Sequence, residues 1–273
     1  MINSILRSKL KEAIFIIIFS AILLMFFIST KYVGTLLFRT FIQFFLGILI
    51  SIIFFALFKN KFSNTKIIPS NKASLAPFLI TIFVGVIISI YQIKTNFSLN
   101  RLQGVYVLIV IAFNILTLFT CYFFKLKLND FNWNISLIQI LIIITIFTGY
   151  FIPKLIFSGV EAFRFYSMFH GNVLAYVVSG AIMFIQPALY EEVIYRGFLI
   201  SALKGFGLDD FNINVVQAII FGLLHFSIHI QYGWIGVLGT SSQILLGFIL
   251  GKIYIKSKSL MPCIILHLLI DIV

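Results

Sequence analysis

Acidic residues are scarce in this chain: eight Asp and Glu among 273 residues, against twenty Lys and Arg. Charged residues of both signs make up only 10%, where soluble domains carry about a quarter. That shortage excludes an ordinary water-soluble globule. Cysteine is nearly absent too, and Cys121 and Cys263 both fall inside apolar runs. They read as small buried hydrophobes and say nothing of a disulfide framework. The net charge of +12 invites a nucleic-acid reading, but no basic stripe with interleaved aromatics lies on any polar segment. Nucleic acid is therefore excluded as a partner.

What the chain does have is apolar length. Hydrophobic residues reach 61% and the mean hydropathy is +1.13. Runs of about 20 such residues can each cross a bilayer as one helix. They recur near 13–30, 36–58, 75–93, 102–124, 135–153, 172–198, 212–232, 236–255 and 260–272. The expected architecture is all-α: a polytopic transmembrane helix bundle of about eight or nine spans. The first stretch, "RSKLKEAIFIIIFSAILLMFFIST", has a positive flank, an apolar run longer than a signal-peptide core and no small-x-small cleavage site. It reads as an uncleaved first span.

The basic residues between spans sort by side. Thirteen lie in one set of loops, from Arg7 through Lys59, Lys125 and Lys204 to Lys258, and six in the opposite set. The bias puts the N-terminus in the cytoplasm of a multi-pass cell-membrane protein. The richness in Ile, Phe, Asn, Lys and Tyr fits an AT-rich, bacterial genome, hence a plasma membrane. The connections "KNKFSNTKIIPSNKAS" and "FKLKLNDFNWN" are polar and basic, whereas the outer connection near 154–171 is aromatic enough to lie at the interface. No internal repeat is evident. Trp133 divides the chain into N-terminal transmembrane helices, 1–132, with about four spans, and a C-terminal helical core, 133–273.

That core holds the ionisable residues that do not belong at membrane depth: Glu191, Glu192 and Arg196 in "YEEVIYRGF", His225 and His229, then His267 and Asp271. Such groups are expensive in hydrocarbon and face each other or a water-filled cavity, so each is a functional hypothesis. Glu192 and Arg196 stand four apart on one helix face and can form an ion pair. Glu191 points about 100° away and is the better candidate for a reacting carboxylate. Pro187, lacking a backbone donor, should kink or widen the helix just above. Phe221 can pack on the imidazole of His225, four residues on. Asp271 can accept an imidazole N–H from His267 at the same spacing and set its tautomer. In the span map these residues share the cytoplasmic half of the bilayer, as one intramembrane polar cavity opening inward would require.

"EEVIYR", "FGLLH" and "HLLID" together, in this order and rough spacing, resemble the motifs of the CPBP family of intramembrane proteases. That family includes Rce1-type CAAX prenyl endopeptidases and bacterial Abi relatives. The resemblance runs over about residues 180–273 and leaves 1–130 uncovered. It implies hydrolysis of a peptide bond in a membrane-associated peptide or protein. Glu191 and His225 would activate water, with the glutamate as general base. His267 and Asp271 would stabilise the oxyanion or the leaving group. Glu192 and Arg196 would be structural supports, along with Phe221. Members often carry Asn at the last motif position; an anionic Asp271 cannot donate to an oxyanion, so orienting His267 is its safer assignment.

The cofactor stays open between a metal-free glutamate mechanism and zinc held by Glu191, His225 and His267. His229 reads as an interfacial residue or an extra ligand, and His170 as interfacial. "GFILG", with Gly247 and Gly251, reads as a helix-packing face without a functional claim. The competing class is a non-proteolytic membrane immunity or scaffold protein on the same fold, as in bacteriocin self-immunity. A transporter would want relay residues spread through the full depth, and repeats.

Overall fold

The computed structural model describes residues 11–16, 20, 36–62, 67–95, 104–158, 172–226 and 236–272. Among these residues eight longer helices follow the short helical stretch at 11–16. They are α1 Leu36–Phe58, α2 Leu75–Thr95, α3 Gly104–Phe123, α4 Leu137–Ser158, α5 Val173–Gly205, α6 Asp210–Leu224, α7 Gly236–Ser257 and α8 Met261–Asp271. No strand occurs among the described residues. The protein is an all-α membrane bundle, and α1, α4, α5 and α7 are long and apolar enough to cross a bilayer. The other helices supply shorter apolar stretches. Most of the predicted first span, most of the aromatic outer connection with His170, and the segment carrying His229 lie outside the described residues.

The outer surface is that of a protein solvated by lipid. Ile53, Leu57, Phe83, Phe119, Tyr122, Ile156 and Leu174 point outward, while Gln43, Ser51, Thr117, Glu192, Arg196, Asn214 and Gln217 are buried. Apolar tails offer nothing to a polar side chain, so polar groups turn inward to find partners. α7 is the central helix, with 83% of its apolar window inside the bundle.

Small residues let the helices approach. α1 packs most extensively on α4, where a Cβ added to Gly47 would stand 2.5 Å from the carbonyl oxygen of Tyr150. Ser51 donates across the same contact to the carbonyl of Ile146 at 2.9 Å. Close approach of this kind replaces the hydrophobic drive that lipid removes. Gly47→Val should therefore force α1 off α4 and destabilise the bundle by about 1–3 kcal/mol. A thermal melt in detergent checks this: an unchanged midpoint would mean that the contact yields freely.

Two polar connections set the helices that carry the core acids and histidines. After α5 the chain turns through Gly207, whose φ of +86° is a conformation only glycine adopts without strain. Asp209 then caps α6, accepting from the N–H groups of Phe211 and Asn212 at 3.0 Å each, while Lys204 pairs with Asp210 across the turn at 3.0 Å. Before α8, the N–H of Leu260 donates to the carbonyl of Asn132, and the Ser259 hydroxyl lies within hydrogen-bonding reach of the carbonyls of Asn132 and Asn134. Phe131, beside Asn132 in the connection between α3 and α4, packs in the space that Gly197 leaves on α5.

α5 itself is interrupted where Pro187 was expected to act. Gln186 has φ −141° and ψ 113°, outside the helical region, so the helix is kinked there, and residues 193–199 are wound as wide π turns. Proline removes a backbone donor and its ring crowds the preceding turn, so the winding opens there.

Candidate active site

Three helices bring the buried polar residues together: α5 with Glu191, Glu192 and Arg196, the end of α6 with His225, and α8 with His267 and Asp271. Arg196 is completely buried, as is Glu192. Its Nη1 donates to Glu192 Oε1 at 2.9 Å, the i,i+4 pair expected from spacing. The guanidinium also lies 4.7 Å from the ring centre of Phe221, and Nη2 donates to the carbonyl of Gly247 on α7 at 3.3 Å. A cation taken out of water is tolerable only with this many partners.

His267 stands between the two glutamates. Its Nδ1 is 2.8 Å from Glu192 Oε1, and its Nε2 is 3.9 Å from Glu191 Oε2 and 3.6 Å from Asp271 Oδ2. The neighbouring carboxylates thus reach opposite nitrogens of one imidazole. This alters two expectations. Glu192 does more than pair with Arg196, because a single oxygen serves both the guanidinium and His267. Asp271 was expected to set the tautomer, yet the short contact belongs to Glu192, while Asp271 flanks Nε2 at longer range. Helix geometry on one chain could not show this, since the decisive contact joins residues 75 positions apart.

His225 ends α6. Its Nδ1 is 2.7 Å from the carbonyl oxygen of Phe221, and the two rings are 4.6 Å apart. A carbonyl can only accept, so Nδ1 carries the proton and Nε2 presents a lone pair. That Nε2 is 3.8 Å from Glu191 Oε2. The ring contact was expected from spacing, whereas the carbonyl contact needed the helix end. Glu191 is partly exposed, at 18% of its side chain, where Glu192 is sealed. Separations near 3.8 Å are too long for direct hydrogen bonds and suit one bridging water.

For zinc, the donor types fit. Each imidazole engages Nδ1 with a carbonyl or carboxylate and turns Nε2 towards Glu191, the arrangement that ligating histidines adopt. The spacing does not: among the described residues no three His, Cys, Asp or Glu side chains form a group that could hold a metal as they stand.

Two further residues belong to this network. Gln217, on α6, donates from Nε2 to the carbonyl of Gly247 at 2.8 Å, and Asn214 donates to the carbonyl of Phe248 at 3.1 Å. Both amides are buried. They lie in one i, i+3, i+7, i+11 stripe with Phe221 and His225, a signal legible in the sequence but overlooked because amides are less conspicuous than charges.

Residues 173–273, which contain every residue of this cluster, match the family model for the type II CAAX prenyl endopeptidase Rce1-like proteins. No curated protein and no solved structure matches the chain. With its four bilayer-length apolar helices and this C-terminal match, the chain is a membrane protein whose residues 173–273 are similar to the Rce1-like family.

Proposed function

We propose that the protein is an intramembrane endopeptidase that hydrolyses a peptide bond of a membrane-associated peptide or protein. The observation carrying this reading is the convergence of Glu191 Oε2 with Nε2 of two histidines from two other helices, at 3.8 and 3.9 Å. In this reading Glu191 takes a proton from water held between it and His225 Nε2. The hydroxide forms a bond to the scissile carbonyl carbon, and the carbonyl oxygen becomes an oxyanion. His267, its Nδ1 proton on Glu192, donates to that oxyanion from Nε2. The positive ring is balanced by Glu192 and Asp271 beside it. The carbon–nitrogen bond then breaks, and the proton on Glu191 passes to the leaving amine. The charge bias of the loops supports a cytoplasmic N-terminus and a cavity open to the cytoplasmic side, and the richness in Ile, Phe, Asn, Lys and Tyr supports a bacterial plasma membrane.

The test compares cells expressing wild type and Glu191→Gln, with membrane and secreted peptides measured by mass spectrometry. Peptides whose termini depend on Glu191 support proteolysis. Identical peptide sets with an equal membrane phenotype would favour an immunity or scaffold protein. Metal removal separates the two chemistries. The proposed route runs through Glu191 and water, so purified protein treated with a chelator should retain activity and carry no stoichiometric zinc by elemental analysis. Zinc at one per chain, lost together with activity and restored with it, would assign Glu191, His225 and His267 as ligands.

A further inference from the structure

The glycine face of α7 has a use beyond packing. A Cβ on Gly251 would collide with the side-chain amides of both Asn214 and Gln217, and a Cβ on Gly247 would press on Ala218 and Phe221 of α6 at about 3.1 Å. The bare backbone there admits two amides to the carbonyls of α7. Gln217 Nε2 reaches the Gly247 carbonyl at 2.8 Å and lies 3.0 Å from Asn214 Oδ1, while Asn214 holds the next carbonyl, that of Phe248. Buried amides are costly without partners, and simple helix packing needs none.

The Gly247 carbonyl is also where Arg196 arrives, at 3.3 Å. It accepts from a neutral amide of α6 and a cation of α5 at once. From it a continuous line of contacts runs through Arg196 Nη1 to Glu192 Oε1 at 2.9 Å, and from the same oxygen to His267 Nδ1 at 2.8 Å. A carbonyl oxygen has two lone pairs, and this one, inside α7, also serves the helix N–H four residues on, so the two side-chain donors sharing it compete. We infer that Gln217 is a positioning residue: by holding the Gly247 carbonyl it limits how far that carbonyl draws Arg196 away from Glu192, and so fixes the imidazole of His267. Without the amide, the guanidinium shifts towards α7, the Glu192 contact loosens and His267 loses its anchor. The effect on turnover rests on the peptidase reading; the effect on His267 does not.

The test therefore reads His267 directly. Protein labelled with 15N-histidine is compared by NMR as wild type, Gln217→Met, Gly251→Ala and Ile213→Val, with His267→Gln assigning the resonance. Gln217→Met keeps the volume and removes the donor. Gly251→Ala leaves Gln217 in place but crowds its amide. Ile213→Val, in the buried core of the same helix, controls for a general loss of stability. The ring-nitrogen shifts of His267 should move in the first two variants and stay in the third. Where peptidase activity is measurable, kcat should fall about ten- to a hundredfold in Gln217→Met with KM unchanged. Unmoved His267 shifts in both Gln217→Met and Gly251→Ala would overturn the inference, as would movement of equal size in Ile213→Val. A wild-type protein without peptidase activity counts against the proposed function alone, and the NMR comparison still decides the role of Gln217.

Discussion

Glu191→Gln is expected to lower turnover of a membrane-associated peptide by about 10²–10⁴-fold, the usual contribution of a positioned general base. The amide occupies nearly the same volume and can still accept a hydrogen bond, so water could still enter, but it cannot take up the proton that makes water a nucleophile. Glu191 is partly exposed as a side chain while its buried Oε2 faces the two Nε2 atoms, and the main ion pair is made by its neighbour. Stability should therefore change little, and a melt within a few degrees of wild type would confirm a folded protein. Wild-type processing by this variant would remove Glu191 from the chemistry. The same assay on Glu192→Gln gives a useful contrast. That amide oxygen can still accept from His267 Nδ1, so its loss should be smaller in turnover and larger in stability.

Arg196→Ala should instead act on the fold. The arginine is fully buried and holds Glu192, the Gly247 carbonyl and the face of Phe221. Removing one partner of a buried pair leaves the other charge unmatched, at about 3–5 kcal/mol. Poor accumulation in the membrane and a clearly lowered melting point are expected. The double variant Arg196→Ala/Glu192→Gln should recover part of that loss, because it removes the stranded charge. A double variant no more stable than Arg196→Ala would mean that the damage comes from the cavity rather than the charge.

Much of the site was legible because its members share short helical spacings. Glu192 with Arg196 and Phe221 with His225 are i,i+4 neighbours, and each pair is in contact in the fold. Pro187 announced the interruption of α5 for a similarly local reason, since a missing N–H acts on its own turn. Periodicity was less informative about the glycines of "GFILG". They read as a packing face, whereas their bare backbone also receives the amides of Asn214 and Gln217 and the guanidinium of Arg196.

By itself the sequence determined the solvent and the secondary structure. Few charges put the chain in lipid, where only helices and closed barrels satisfy their backbone groups, and apolar runs of about 20 residues are helical in length. It also marked the polar residues whose burial demands partners. Only the tertiary structure decided which partners those are. His267 could have leaned on Asp271, one turn away on α8, but it meets Glu192 of α5. Glu191 and Glu192 are neighbours of one chemical type. Their difference lies in what the fold places around them: the sealed guanidinium of Arg196 and Nδ1 of His267 for Glu192, the Nε2 edges of two imidazoles for Glu191. Contacts between helices depend on their rotation and depth, which packing settles and local spacing does not encode.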